Sequence, residues 1–175
     1  MIAQTDSVYY GTREELPKKE KVKNKEDILE KMNYGGSFQL FFGTVTFIYL
    51  APTVGISPLE KLNVGVGGVY SYWSDRSGGR SYSQSLAGGQ LYARYALLEN
   101  LSAMVQYDKL YQPDWNSYTP DKKIWVDYTL LGFGYTQPAG DNTIFYTSLM
   151  YNVTPHRSSI YPNNFAFQFG VTIGF

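Results

Sequence analysis

The last twelve residues constrain this chain more than any other feature. Phe165, Phe167, Phe169, Val171, Ile173 and Phe175 alternate with Ala166, Gln168, Gly170, Thr172 and Gly174. A period of two puts every large apolar side chain on one face of an extended strand and every small or polar one on the other. A segment of this kind has to lie between two environments of opposite polarity. The same pattern recurs in Leu101, Ala103, Val105 and Tyr107 against Ser102, Met104, Gln106 and Asp108, and in Leu62, Val64, Val66, Tyr70 and Tyr72 against Asn63, Gly65, Gly67 and Ser71.

Read this way, and broken at Gly, Pro, Asn and Asp, the chain yields eight candidate strands. They fall at 35–43, 45–57, 62–74, 81–97, 101–111, 123–137, 143–153 and 164–175. A soluble sandwich also alternates, so strand length, loop length and aromatic placement have to decide. About ten residues at ~3.3 Å rise, tilted by ~45°, cover the ~25 Å apolar band of an outer-membrane barrel, whereas soluble strands usually stop at about five or six. Connections alternate between short (58–61, 98–100, 138–142) and long (75–80, 112–122, 154–163), as tight periplasmic turns and longer outer loops do. The tight turn near Gly43 and Thr44 is the exception. With both termini periplasmic, Tyr70, Tyr72, Trp73, Tyr107, Tyr111, Trp125, Tyr151 and Phe165 gather at the outer rim, and Tyr34, Tyr95, Tyr135, Phe145 and Phe175 at the inner one. The 17 Tyr, 10 Phe and 3 Trp need a place that is half wet and half apolar, and two such girdles supply it. The fold expected is all-β: an eight-stranded antiparallel up-and-down transmembrane β-barrel over 34–175.

Residues 1–33 follow different physics. They hold 14 of the chain's 30 Asp, Glu, Lys and Arg, seven bases against seven acids. The run from Thr12 to Lys25 is too polar to fold alone, while Lys25 to Met32 has the spacing of two helical turns presenting Ile28, Leu29 and Met32. This segment reads as a charged periplasmic arm. Met1-Ile2-Ala3-Gln4 reads as the stub of a trimmed secretory signal, with cleavage expected after Ala3 and an added start methionine. Zero net charge leaves no driving force for nucleic acid. With no cysteine, disulfides and thiolate metal sites are excluded.

Several segments resemble the small eight-stranded outer-membrane barrels of OmpA/OmpX type, and more closely the small barrel proteins of Bacteroidota. They are Leu62-Asn63-Val64-Gly65-Val66-Gly67-Gly68, Gly88 to Tyr95 with Leu98 to Leu101, Gly132 to Pro138, and the terminal Val171 to Phe175. The resemblance covers residues 34–175. It implies outer-membrane lipids and lipopolysaccharide as surroundings, and the barrel-assembly machinery as a partner during biogenesis, with Phe175 as the assembly signal.

Eight strands enclose a lumen that side chains fill. Alternation points Gln39, Asn63, Gln90, Tyr92, Arg94, Gln106, Asp108, Gln168 and Thr172 inward, and glycines at 65, 67, 132, 134, 170 and 174 make room across the lumen. The expected site is a structural polar network of Arg94, Asp108, Gln90, Gln106 and Tyr92. A turn about Glu99 sets Arg94 opposite Val105, within partial reach of Asp108. Asp127 falls on lipid-facing parity, which a bulge near Tyr128 or a position above the membrane resolves. His156 in Thr154-Pro155-His156-Arg157-Ser158-Ser159 carries an H-x-S element resembling that of outer-membrane lipid A deacylases, but no Asp or Glu follows Asp141 to orient it. No catalytic, cofactor or metal residue is expected. The expected role is structural or interactive, as an accessory subunit of a larger envelope complex that uses residues 1–33 and the loop aromatics Trp115, Tyr118 and Tyr161. The alternatives are a lipid-active enzyme using His156 and a nearby serine, and a soluble ligand-binding barrel.

Overall fold

The structure, a computed structural model, describes residues 31–41, 45–76, 82–114, 122–140 and 142–174. Eight strands follow one another around a closed antiparallel barrel: β1 (Met32–Phe41), β2 (Val45–Leu59), β3 (Leu62–Asp75), β4 (Tyr82–Leu98), β5 (Leu101–Pro113), β6 (Lys123–Pro138), β7 (Thr143–Asn152) and β8 (Phe165–Ile173). Each strand pairs with its sequence neighbour, and β8 returns to β1. With eight strands, the start of β1 and the end of β8 share one rim. The connections at that rim after β2, β4 and β6 are short, and the connection between β7 and β8 at the other rim is longer. A 3-10 turn, Pro162–Asn164, leads into β8. Asn163 (φ 52°) and Asn164 (φ 63°) hold left-handed conformations there, which asparagine tolerates better than other side chains that carry a Cβ.

β1 begins at Met32, inside the segment assigned from sequence to the charged arm. Asn33 lies opposite Gly55 and is buried. Its polarity made it look like part of the arm, but a polar residue is what an inward position at this end of the lumen takes. Met32, expected on a short helix, is therefore the first strand residue; residues 25–30 lie outside the described residues.

Parity runs through the whole sheet. Outward positions are apolar on every side: Tyr34 and Phe38 on β1, Leu50 on β2, Val66 and Tyr70 on β3, Leu91 and Tyr95 on β4, Val105 and Tyr107 on β5, Leu131 and Phe133 on β6, Phe145 and Leu149 on β7, and Phe167 and Phe169 on β8 all stay exposed. Many lose less than half their surface, with Phe133 59% exposed and Tyr34 55% exposed. Soluble monomers rarely leave a contiguous apolar surface of that extent.

Inside, the lumen divides in two. Towards the rim that carries the chain ends the filling is mostly polar, with Asn33, Ser37, Gln90, Ser102, Gln106, Ser148 and Gln168 buried and Met104 among them. Towards the opposite rim, Tyr49, Val69, Leu86, Leu110, Val126, Tyr128, Leu130 and Met150 belong to an apolar cluster, with Phe47, Ile160 and Tyr161 packed against it, and Ser71, Ser74, Gln112 and Asn152 buried beside it. A polar core throughout was expected. The apolar half replaces it because a lumen closed to water at that rim favours hydrophobic filling. Trp73, expected in the outer girdle, pairs with Phe47 on the inward parity.

Candidate functional site

The polar half of the lumen is built on β4 and β5. Gln90 lies opposite Asp108, Tyr92 opposite Gln106, and Arg94 opposite Met104. The turn Glu99-Asn100, with Leu98 opposite Leu101, would set Arg94 opposite Val105, an outward residue, if its register continued. A register shift between Ala96 and Leu98 moves the pairing by one and sets Arg94 opposite the inward Met104. Arg94 is then four residues short of Asp108's level, about 13 Å along the strand at ~3.3 Å per residue. Each charge finds another partner.

The Arg94 guanidinium lies 4.2 Å from the centre of the Tyr146 ring, with the Tyr92 ring at 6.0 Å. Cation–π attraction strengthens where water is excluded. Gly65 and Gly170 permit this layer, since a Cβ at Gly65 falls 2.6 Å from the Tyr92 ring and one at Gly170 runs into the Tyr146 ring. Asp108 is fully buried, and both its oxygens accept from the Gln106 amide at 2.9 Å. The void left between Thr53, Gln90, Tyr92, Arg94, Gln106 and Tyr146 is about 10 Å³. That is the lower limit for one water.

The third hydrogen bond to Asp108 comes from a loop. Tyr161, expected as an exposed contact residue, instead turns into the barrel mouth and donates its hydroxyl to Asp108 Oδ2 at 3.0 Å. Its ring stands edge-on to Tyr128 with centroids 5.2 Å apart. Burial pushes the Tyr161 hydroxyl well above its ordinary value of 10.0, and the facing Asp108 carboxylate pushes it further the same way. Tyr128 donates to Gln112 Oε1 at 2.8 Å and accepts from the Ile160 amide at 3.3 Å. The Gln112 amide donates to the Ser158 carbonyl. Two hydrogen-bonded sets, Gln106–Asp108–Tyr161 and Tyr128–Gln112–Ser158, joined by the Tyr128–Tyr161 ring contact, thus link the middle of the lumen to the outer loops, where Lys122 and Asp114 form an ion pair at 3.6 Å.

His156 and Ser158 belong to this closure. Ser158 is buried, its hydroxyl donates to Asp114 Oδ1 at 2.9 Å, and its backbone N–H donates to His156 Nδ1 at 3.1 Å. A hydrolytic triad needs the imidazole to accept the serine hydroxyl proton while the acid holds the other ring nitrogen. Here the acid holds the serine, and the imidazole holds the backbone. The acid that sequence reading sought downstream of the histidine lies upstream, on the neighbouring connection.

Asp127 faces outward without a bulge, since β5 and β6 pair in unbroken register. It is balanced by Lys109 at 3.5 Å and by the Tyr107 hydroxyl at 2.8 Å. Gln39 and Asn63 also have neighbouring partners, the Phe167 carbonyl for Gln39 and the Ser57 hydroxyl for Asn63. Trp115, Tyr118 and Phe175 lie outside the described residues. Sequence reading missed Tyr128, Tyr146, Gln112 and Asp114, and met Ser158 only in the H-x-S element. The first three were readable as inward by parity alone, whereas no local signal marks Asp114 as the partner of Ser158. No cluster of His, Asp and Glu suited to a metal occurs among the described residues.

No family model matches the chain, and no curated protein matches its sequence. Among solved structures it is similar to the N-terminal β-barrel domain of OprF from Pseudomonas aeruginosa, with a TM-score of 0.48 and 12% identity over 83% of this chain and 98% of that one.

Proposed function

We propose that this chain is an integral outer-membrane β-barrel of a Gram-negative envelope, without catalytic activity, that serves a structural or interaction role as an accessory subunit of a larger envelope complex. One observation carries the reading: a closed barrel is apolar all round its exposed face and filled inside. Only closed barrels and helices satisfy every backbone group in hydrocarbon, and only a lipid solvent rewards that outward face. A soluble ligand-binding barrel has the reverse polarity and an open cavity. The proposal places the rim bearing Met32 and Ile173 in the periplasm, with the charged residues before β1 as a tether there. The outer-leaflet lipids, including lipopolysaccharide, surround the girdle. Phe175 serves the assembly machinery, and Trp115 and Tyr118 remain the candidate contacts for a partner at the outer mouth. The likeness to small barrel proteins of Bacteroidota belongs to the same proposal and rests on the glycine-aromatic strand segments alone.

Fractionation tests the location. The protein is expected with outer membranes, as a band whose mobility shifts when the sample is heated; a soluble protein without that shift refutes it. Gentle solubilisation tests the role, and a chain that always runs as a lone barrel counts against the subunit. The non-enzymatic part predicts that His156→Ala leaves the lipid A species of the membrane unchanged.

A further inference from the structure

The seam that closes the barrel differs from the others. β1 and β8 pair only from Tyr34 opposite Ile173 to Phe38 opposite Phe169, although β1 continues to Phe41 and β8 begins at Phe165. Continued in the same register, Leu40 and Phe167 would be the next outward pair. Instead the wall carries a groove of about 580 Å³ there, lined by Phe38, Leu40, Phe145, Phe167 and Phe169, with Tyr146 at its floor. The four phenylalanines and the leucine belong to the exposed apolar belt, so the groove is a recess in that belt and open to whatever solvates it.

Two details narrow the occupant. The Gln39 side-chain amide donates to the Phe167 carbonyl. A carbonyl that has lost its strand partner is thereby satisfied, and the glutamine occupies the place an added strand would need, with ~4.7–4.9 Å spacing on each side. The floor is the Tyr146 ring, which is buried and backed on the lumen side by the Arg94 guanidinium. The recess therefore ends on the Tyr146 ring, with Gln39, Thr147 and Gly170 completing its lining. Its volume falls within the ~300–1,000 Å³ of small-molecule sites.

We infer that this groove holds one acyl chain of a membrane lipid, lodged between β1 and β8 as a bound lipid distinct from the mobile lipids around the belt. The inference rests on the membrane reading above. The lining offers no charge for a headgroup, so selection acts on the hydrocarbon chain.

The test uses the full chain in vesicles of phosphatidylethanolamine and phosphatidylglycerol, doped with phosphatidylglycerol carrying a diazirine on one acyl chain. Adducts are mapped by mass spectrometry after irradiation. Labelling at Phe38, Leu40, Phe167 and Phe169 is expected to exceed that at Leu91 and Val105, across the barrel, by about tenfold, equivalent to about 1.4 kcal/mol. Uniform labelling of the belt overturns the groove and leaves the membrane reading intact; no labelling of the belt overturns the membrane reading itself. Cross-links joining two copies at the seam overturn the lipid in favour of a second chain. Because the protein has no cysteine, the pair Leu40→Cys and Phe167→Cys can close the seam reversibly. Enrichment should fall to the belt average on oxidation and return on reduction. Thr147→Trp, which fills the groove from β7, should abolish the enrichment without a disulfide, and enrichment that survives it refutes the inference.

Discussion

Tyr161→Phe deletes one oxygen atom and leaves the ring in place, so it isolates the bond that ties the outer loop to the lumen. The hydroxyl lies 3.0 Å from Asp108 Oδ2, and Asp108 has no exposed surface. Its remaining donor is the Gln106 amide, shared between both oxygens at 2.9 Å. A hydrogen bond to a charged group is worth about 1.5–3 kcal/mol, and a buried acceptor left short of donors retains its desolvation cost. The edge-on packing against Tyr128 at 5.2 Å survives the change, so the loss should stay near 2 kcal/mol and not reach the larger cost of removing a whole ring. With a urea slope of about 2 kcal/mol per molar, that moves the unfolding midpoint down by about 1 M. The assay is the folded fraction on unheated gels across a urea series in vesicles. The loss should shrink to a few tenths of a kcal/mol in an Asp108→Asn background, since a neutral acceptor makes the weaker bond. A midpoint shift below about 0.2 M, or one equally large in both backgrounds, refutes the claim that Tyr161 acts through the Asp108 carboxylate.

The same hydroxyl has a pH signature. Its value is raised on folding, so its contribution is fully present below about 10, the unfolded value, and is lost as pH rises beyond it; wild type should lose stability more steeply above that pH than Tyr161→Phe in the same gel assay. Leu131→Arg, outward near the middle of β6, should cost about 2–4 kcal/mol in vesicles, and Leu98→Arg at the rim about 0–1; equal costs argue against a membrane band centred on β6. Gly170→Ala sets a methyl against the Tyr146 ring and the Gly36 carbonyl and should cost about 1–3 kcal/mol, whereas Gly68→Ala meets nothing within 4 Å and should be nearly neutral. In planar bilayers the intact protein should show no steady conductance, and simultaneous truncation of Tyr92, Arg94 and Tyr146 to Ala should still show none, because the apolar cluster of Tyr49, Leu110, Tyr128 and Leu130 keeps the lumen closed.

The sequence revealed the strands wherever one face was uniformly apolar and the other uniformly small or polar. β8 meets that condition, β5 and β3 meet it except at Met104, Leu110, Val69 and Trp73, and apart from Trp73 their parity in the barrel is the one read from the residues. β6 does not, because Trp125-Val126 and Leu130-Leu131 put apolar residues on both faces. Nothing in the pattern announced that Val126, Tyr128 and Leu130 fill an apolar half of the lumen. The bulge near Ala96 was hidden for a related reason: a shift of one residue next to a turn changes no composition, yet it decides which residue of β5 lies opposite Arg94. Tyr161 illustrates a different limit. It sits in a polar connection and reads as exposed, but its partner Asp108 lies 53 residues upstream, and only closure of the barrel brings them together.

That closure bears on how the outer surface can meet a partner. Asp114, at the end of β5, holds Ser158 in the connection between β7 and β8, while Gln112 and Tyr128 hold its backbone and Tyr161 is anchored below. Left-handed Asn163 and Asn164 then deliver the chain to β8. Residues 153–164 are thus fixed at several points to the barrel and at one to the neighbouring loop. Ordering a loose loop on binding costs about 0.5–1.5 kcal/mol for each immobilised flexible side chain. A surface already ordered by buried bonds avoids that cost. An interaction role for this barrel therefore draws on its interior as well as its loops, and substitutions at Asp108 or Tyr161, which no partner touches, should weaken capture at the outer mouth.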